Sequence, residues 1–272
     1  MFPPLFPALG EDRSLDLEEK TEDFVRGVRE IRGYADVFLV ADVKDPRFLK
    51  VSTVEAASVL REHLGLEAAP VMVVRDMNRQ MFLSSVLTAV AKGLGSMMLV
   101  WGDEYPPSAG ITNVRDFAGL QDAIRTASNL GRRAGSPLRI FAPVNLDALE
   151  SSLGQKLAKE RLREGAEILL AQPPTTDDAK TFDRHASLIV RNGLEGRVLL
   201  NVFPFRNADD TVECEESFGW KLPAAIHSAA ARGEAALLEE ERGVVQRLRD
   251  HGFPGVYVST RGTPSIATSL LS

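Results

Sequence analysis

The sequence predicts an α/β protein of the (β/α)8, or TIM-barrel, class, read as one domain over residues 1–272. Three observations predict it. Short apolar, β-branched runs alternate with amphipathic helical stretches, the pattern of βαβ units and a parallel sheet. The length of 272 residues suits a barrel, which typically takes about 250. No Gly-rich phosphate fingerprint follows any strand, which disfavours an open dinucleotide-binding sheet.

The elements follow in order. A helical stretch over 15–32 precedes a strand over 36–43 (DVFLVADV). The next pairs are a helix over 51–64 with a strand over 70–74, and a helix over 79–92 with a strand over 96–101. Helices over 114–133, 152–163 and 177–192 lead to strands over 138–144, 167–172 and 197–203. A long helical region over 223–251 leads to a last strand over 255–260. The strand cores are apolar on both faces, as buried parallel strands require. An eighth strand would have to sit near the N-terminus, where Leu5-Phe6 is the only candidate among crowding prolines. The polar, acidic segment 206–218 reads as a long βα loop.

Composition narrows the partners. A net charge of −6 argues against nucleic acid and anionic membranes. No apolar run approaches the roughly 20 residues of a membrane span. The N-terminus lacks the basic start and apolar run of a secretory signal, so the expected location is cytoplasmic. The one cysteine, Cys214, lies among Glu213, Glu215 and Glu216, which raise a thiol pKa rather than activate it.

In a barrel the chemistry sits at the C-terminal strand ends and the loops after them. Those positions hold Asp42 and Lys44, Arg75, Asp76 and Asn78, Gly102, Asp103 and Glu104, Asn145, Gln172, Phe205, Arg206 and Asn207, and Thr260 and Arg261. Asp103 and Gln172 directly end strands, where a polar side chain must enter the mouth or find a partner. Arg75, Asp76 and Arg79 have a plainer reading as ion pairs at the rim, and Asn78 as a cap on the third helix. The four histidines, His63, His185, His227 and His251, fall in helices or at their ends. A histidine metal site or a Ser-His-Asp triad therefore has no support.

The strand ends resemble one family. Residues 73–79 (VVRDMNR) resemble the T-C-R-D-R-N-R motif of methylenetetrahydrofolate reductases, and 98–106 (MLVWGDEYP) their L-x-x-G-D-x-P motif. Residues 165–173 (GAEILLAQP) resemble the G-A-(D)-x-x-x-T-Q-x motif, 202–205 (VFPF) the G-I-L/M-P turn, and 254–260 (PGVYVST) the closing strand. The resemblance runs from about residue 36 to 262. It implies a folate barrel in which a reduced nicotinamide, NADH or NADPH, passes hydride through FAD to methylenetetrahydrofolate. By motif, Asp103 matches the acid at the pterin and flavin, and Gln172 the folate glutamine. Phe205 is expected at the folate. Arg75, Asp76, Trp101, Gly102, Asn145 and Arg161 are expected at the cofactor.

The departures are specific. The family's proton-donating glutamate falls before Met1 or on Pro4, leaving Asp42 or Asp76 to serve. Val71 replaces a histidine and Ala41 a threonine, and Trp101 stands at a flavin-contacting position. Gly154 replaces the acid that binds the flavin ribose, and Arg161 the phosphate-binding lysine. Two readings stay open: a reductase with atypical or absent flavin, and a folate-binding paralogue or subunit without its own redox chemistry that acts with a partner protein, such as a redox subunit, supplying electrons or a methyl group. Self-association is compatible with either. An unrelated barrel aldolase would need a Schiff-base lysine, for which Lys44 is the only nearby candidate.

Overall fold

A computed structural model of the protein describes residues 3–7, 16–42, 48–102, 114, 116–172, 179–218, 220–260 and 265–271. Among these residues the strands are β1 (Leu5–Pro7), β2 (Phe38–Val40), β3 (Phe48–Lys50), β4 (Ala68–Val73), β5 (Ser96–Val100), β6 (Arg139–Asn145), β7 (Ala166–Gln172), β8 (Val198–Val202) and β9 (Val256–Val258). The helices are α1 (Leu17–Arg29), α2 (Thr53–Leu64), α3 (Arg79–Ala91), α4 (Leu120–Arg133), α5 (Ser152–Arg163), α6 (Ala179–Arg191), α7 (Ala208–Phe218), α8 (Ala224–Arg232), α9 (Glu234–Asp250) and α10 (Ser265–Leu271).

Seven strands form one sheet in the order β2-β4-β5-β6-β7-β8-β9. The β2–β4, β4–β5, β5–β6, β7–β8 and β8–β9 pairings are parallel. This is the strand succession of the (β/α)8 class. Leu5–Pro7 is a strand, as its apolar pair suggested, but it pairs antiparallel with β3 in a separate two-stranded sheet.

The chain divides into two units. The first comprises residues 1–142 and 160–167. Its helices start where short polar side chains take the first free amides: Asp16 accepts from Glu19, Ser52 from Glu55 and Asn78 from Met81. Such caps are worth about 1 kcal/mol each. The core of this unit includes Met72, Phe82, Leu99, Ile124 and Ile140, each fully buried. Arg79 ties the start of α3 to α4, reaching Asp122 at 2.8 Å and lying 4.4 Å from the Phe117 ring.

The second unit comprises residues 143–159 and 168–272. The segment expected as a long loop over 206–218 is a helix, α7. Asn207 accepts from the Asp210 amide, and Arg206 grips the Asp210 carboxylate one turn on. Cys214 is fully buried on its inner face, against Phe203, Phe205, Ile226 and Leu237. The long helical region expected over 223–251 consists of α8 and α9, which meet at Gly233, whose φ of +105° suits glycine.

Candidate functional site

In the first unit the segment 73–79 leaves β4 through a single 3-10 turn, Val74–Asp76. Arg75, expected at the cofactor, is only 1% exposed. Its backbone amide donates to the Trp101 carbonyl, and its Nη1 donates to the Gly102 carbonyl, each at 3.2 Å. It therefore fastens the end of β4 to the residues that follow β5. Gly102 has φ +88°, and a Cβ there would lie 2.2 Å from Val73 Cγ1. Trp101 and Gly102 are half-buried. Asp103 lies outside the described residues, as do the side chain of Asp76 and all of Lys44, Glu104 and Arg261.

Asp42, expected as an acid, is ion-paired with Lys50 of β3. Arg161, on α5, is half-buried, and burial pushes its pKa down. On α4, Asp122 is desolvated, yet the guanidinium groups of Arg79 and Arg125 hold its pKa below the usual carboxylate value.

In the second unit Gln172 ends β7 with its side chain exposed. Its backbone carbonyl accepts from the Leu146 amide at 2.9 Å, just beyond Asn145. These two expected positions are thus neighbours. Asn145 is exposed too, but its amide oxygen accepts from Ala148 N at 3.1 Å and shapes the 3-10 turn Asp147–Glu150. His185, read from sequence as an ordinary helix residue, reaches Asp147 Oδ1 at 3.1 Å from a 1% exposed position. Burial depresses its pKa, against the opposing pull of Asp147.

Phe205, expected at the folate, is 3% exposed and packs beside Phe203 in the cluster around Cys214. Its aromatic ring thus belongs to the core of this unit. Its backbone amide donates to Glu241 Oε1 of α9 at 2.6 Å. Glu241 was not singled out in the sequence. It is 4% exposed, and burial lifts its pKa to about 8 against the lowering effect of the Phe205 amide.

Gly154 shows what its side-chain position will hold. A Cβ there would meet the Ala148 carbonyl oxygen at 2.0 Å. The Gly154 amide donates to Ser151 Oγ at 3.0 Å, so the helix start is drawn against the turn before it. Among the described residues no group of three or more His, Cys, Asp or Glu side chains could hold a metal ion. No helix among them is long and apolar enough to cross a membrane.

A family model described as methylenetetrahydrofolate reductase matches residues 47–245. No curated protein matches the chain. Among solved structures, a Clostridium thermocellum protein that binds two copies of 5-methyl-5,6,7,8-tetrahydrofolic acid is similar in fold, with a TM-score of 0.67 and 12% identity over 100% of this chain and 91% of that one. A 2,3-dimethylmalate lyase of the PEP mutase/isocitrate lyase superfamily gives a TM-score of 0.48 and 15% identity over 91% of this chain and 84% of its own.

Proposed function

Because the chain belongs to the methylenetetrahydrofolate reductase family, we propose that it binds a reduced folate at its parallel strand ends and reduces 5,10-methylenetetrahydrofolate to 5-methyltetrahydrofolate. The observation that carries this reading is the family match over 47–245, which spans the motif segments 73–79, 98–106 and 165–173. The folate held by the Clostridium thermocellum protein supports the ligand class.

The roles follow from donor and acceptor chemistry. A pterin edge presents adjacent donors and acceptors, which a carboxylate or carboxamide matches in bidentate fashion. Gln172, exposed at the end of β7, is the carboxamide in this reading, and Asp103 the carboxylate. The reaction breaks the bond from the methylene carbon to N10, adds hydride to that carbon and a proton to N10. A reduced nicotinamide is the proposed hydride source. Asp42, ion-paired with Lys50, is the proposed proton donor. If Asp42→Asn leaves turnover unchanged, that role is wrong.

Flavin held in the family's manner does not fit these residues. The position matching the ribose-binding acid is Gly154, where the Ala148 carbonyl leaves no room for any side chain. Arg161, matching the phosphate-binding lysine, is half-buried. This favours a second reading, a folate-binding protein without its own redox chemistry that acts with a partner protein.

One experiment separates the readings. Purified protein is examined for flavin absorbance, titrated with 5-methyltetrahydrofolate, and assayed with methylenetetrahydrofolate plus NADH or NADPH. A colourless protein that binds folate and turns over supports the reductase. Binding without turnover supports the partner-dependent reading. No folate binding at all refutes both.

A further inference from the structure

The loop from Phe203 to Asn207 leaves β8 at the strand end where a barrel builds its site. Its backbone is held by side chains. The Arg206 amide donates to Asp210 Oδ2 at 3.1 Å, and the Asp210 amide to Asn207 Oδ1 at 2.9 Å. Both are contacts within one turn, and they fix the loop only to the start of α7. The Phe205 amide is different. It is buried, so it must find an acceptor, and the acceptor is Glu241 on α9, 36 residues later. Among these three amides, only that of Phe205 is held by a distant element.

Glu241 also borders a cavity of about 110 Å³, whose wall includes Arg206, Glu234, Leu238, Ile266 and Ser269. The charged groups facing it are committed or repulsive. Arg206 grips Asp210 through Nε and Nη2, each at 2.9 Å. Arg242, next on α9, donates to the Ser269 carbonyl of α10. Glu234 adds a like charge, and α10 carries no titratable side chain.

We propose that Glu241 is the positioning residue of the loop after β8, and that ionisation of its buried carboxyl favours opening of that loop and weakens reduced-folate binding at that strand end. The folate half of the proposal rests on the function proposed above. The loop half does not. A neutral carboxyl can accept from the buried Phe205 amide at little cost. A carboxylate there is the stronger acceptor for that amide, but it is buried with no cation paired to it among the described residues, and the adjoining cavity can admit water, so ionisation favours the open loop. Burial, which lifts this carboxyl to about 8, places the transition near neutral pH.

The test uses the full chain, as wild type and as Glu241→Gln, which keeps an acceptor and cannot ionise. Hydrogen exchange of the peptide covering 203–210 is followed without ligand from about pH 6 to about pH 9. Wild-type protection, corrected for intrinsic exchange, is expected to fall about tenfold per unit up to about pH 8 and then flatten, because opening releases one proton. Glu241→Gln is expected to show no slope. Affinity for 5-methyltetrahydrofolate is measured over the same range and is expected to fall in wild type alone. Equal slopes in the two proteins overturn the positioning role. A slope confined to wild type with pH-independent folate affinity overturns the link to binding. Should wild type bind no folate, the proposed function fails, while exchange still decides the loop. Glu241→Leu, lacking the acceptor, is expected to leave the peptide poorly protected at every pH. Full protection in that variant also overturns the proposal.

Discussion

Replacing Gly102 by alanine tests the geometry at the end of β5. The added Cβ would sit 2.2 Å from Val73 Cγ1, where carbon pairs prefer about 3.5–4.0 Å. Val73 is 4% exposed and pairs with Val100 in the register of β4 and β5, so it has little room to retreat. Overpacking of this kind costs about 1–3 kcal/mol. The backbone adds a separate cost. At φ +88° alanine pays roughly 1–2 kcal/mol that glycine does not. Gly102→Ala should therefore lose about 2–5 kcal/mol in urea unfolding. The two contributions separate in a double-mutant cycle. Val73→Ala removes Cγ1, so Gly102→Ala made in that background should cost only the backbone part, roughly 1–2 kcal/mol. A coupling of about 1–3 kcal/mol between the two sites is the expected result. Additivity within about 0.5 kcal/mol would refute the steric account. A neutral Gly102→Ala would refute the backbone account as well.

Three other outcomes are expected. Gly154→Ala lies in a helix, where the change ordinarily gains up to about 1 kcal/mol; the Ala148 carbonyl at 2.0 Å should reverse the sign and cost about 3 kcal/mol or more, and a stabilised variant in chemical denaturation would show that the close approach is not real. Arg75→Met should lose about 2–3 kcal/mol, because the Gly102 carbonyl forfeits its guanidinium donor; an unchanged unfolding midpoint would remove Arg75 from that role. For Glu241 the folded pKa of about 8 lies above the unfolded value of 4.5, so its contribution is fully present below the unfolded value and is lost as pH rises through the folded one. Wild-type stability should thus fall relative to Glu241→Gln by about 1.4 kcal/mol per unit across that window, read from urea curves at several pH values; parallel pH profiles would count against it.

What could be read from sequence had one physical basis, the period of burial. The seven parallel strands were visible because both of their faces are apolar, and Asn78 was visible as a cap because its side chain acts on its own backbone. The acidic run 206–218 was misread by its polarity. Its helix signals were local and present: Asn207 before an acidic first turn at Asp209 and Asp210, and Arg206 four residues from Asp210. Glu241 hides in the run Glu239-Glu240-Glu241, yet it falls on the stripe Leu237, Val244, Val245 and Leu248 that α9 buries. A carboxylate on an apolar stripe was the available sign. Nothing in the sequence foretells that the Ala148 carbonyl crowds Gly154, because that contact depends on how a 3-10 turn meets the next helix. The burial of Phe205 was hidden for a related reason: its position at a strand end could not reveal that its ring turns into the cluster around Cys214.

That cluster also supplies a clock. The chain has one thiol, and it is fully buried beneath Phe203 and Phe205. A thiol reagent can modify it only when this part of the second unit opens, so labelling of the native protein would time that event with no background from other sites. The Trp220 ring, 5.1 Å from Phe203, would report the same opening by its emission. The segment after β8 thus carries both a chemical and an optical gauge of its own breathing.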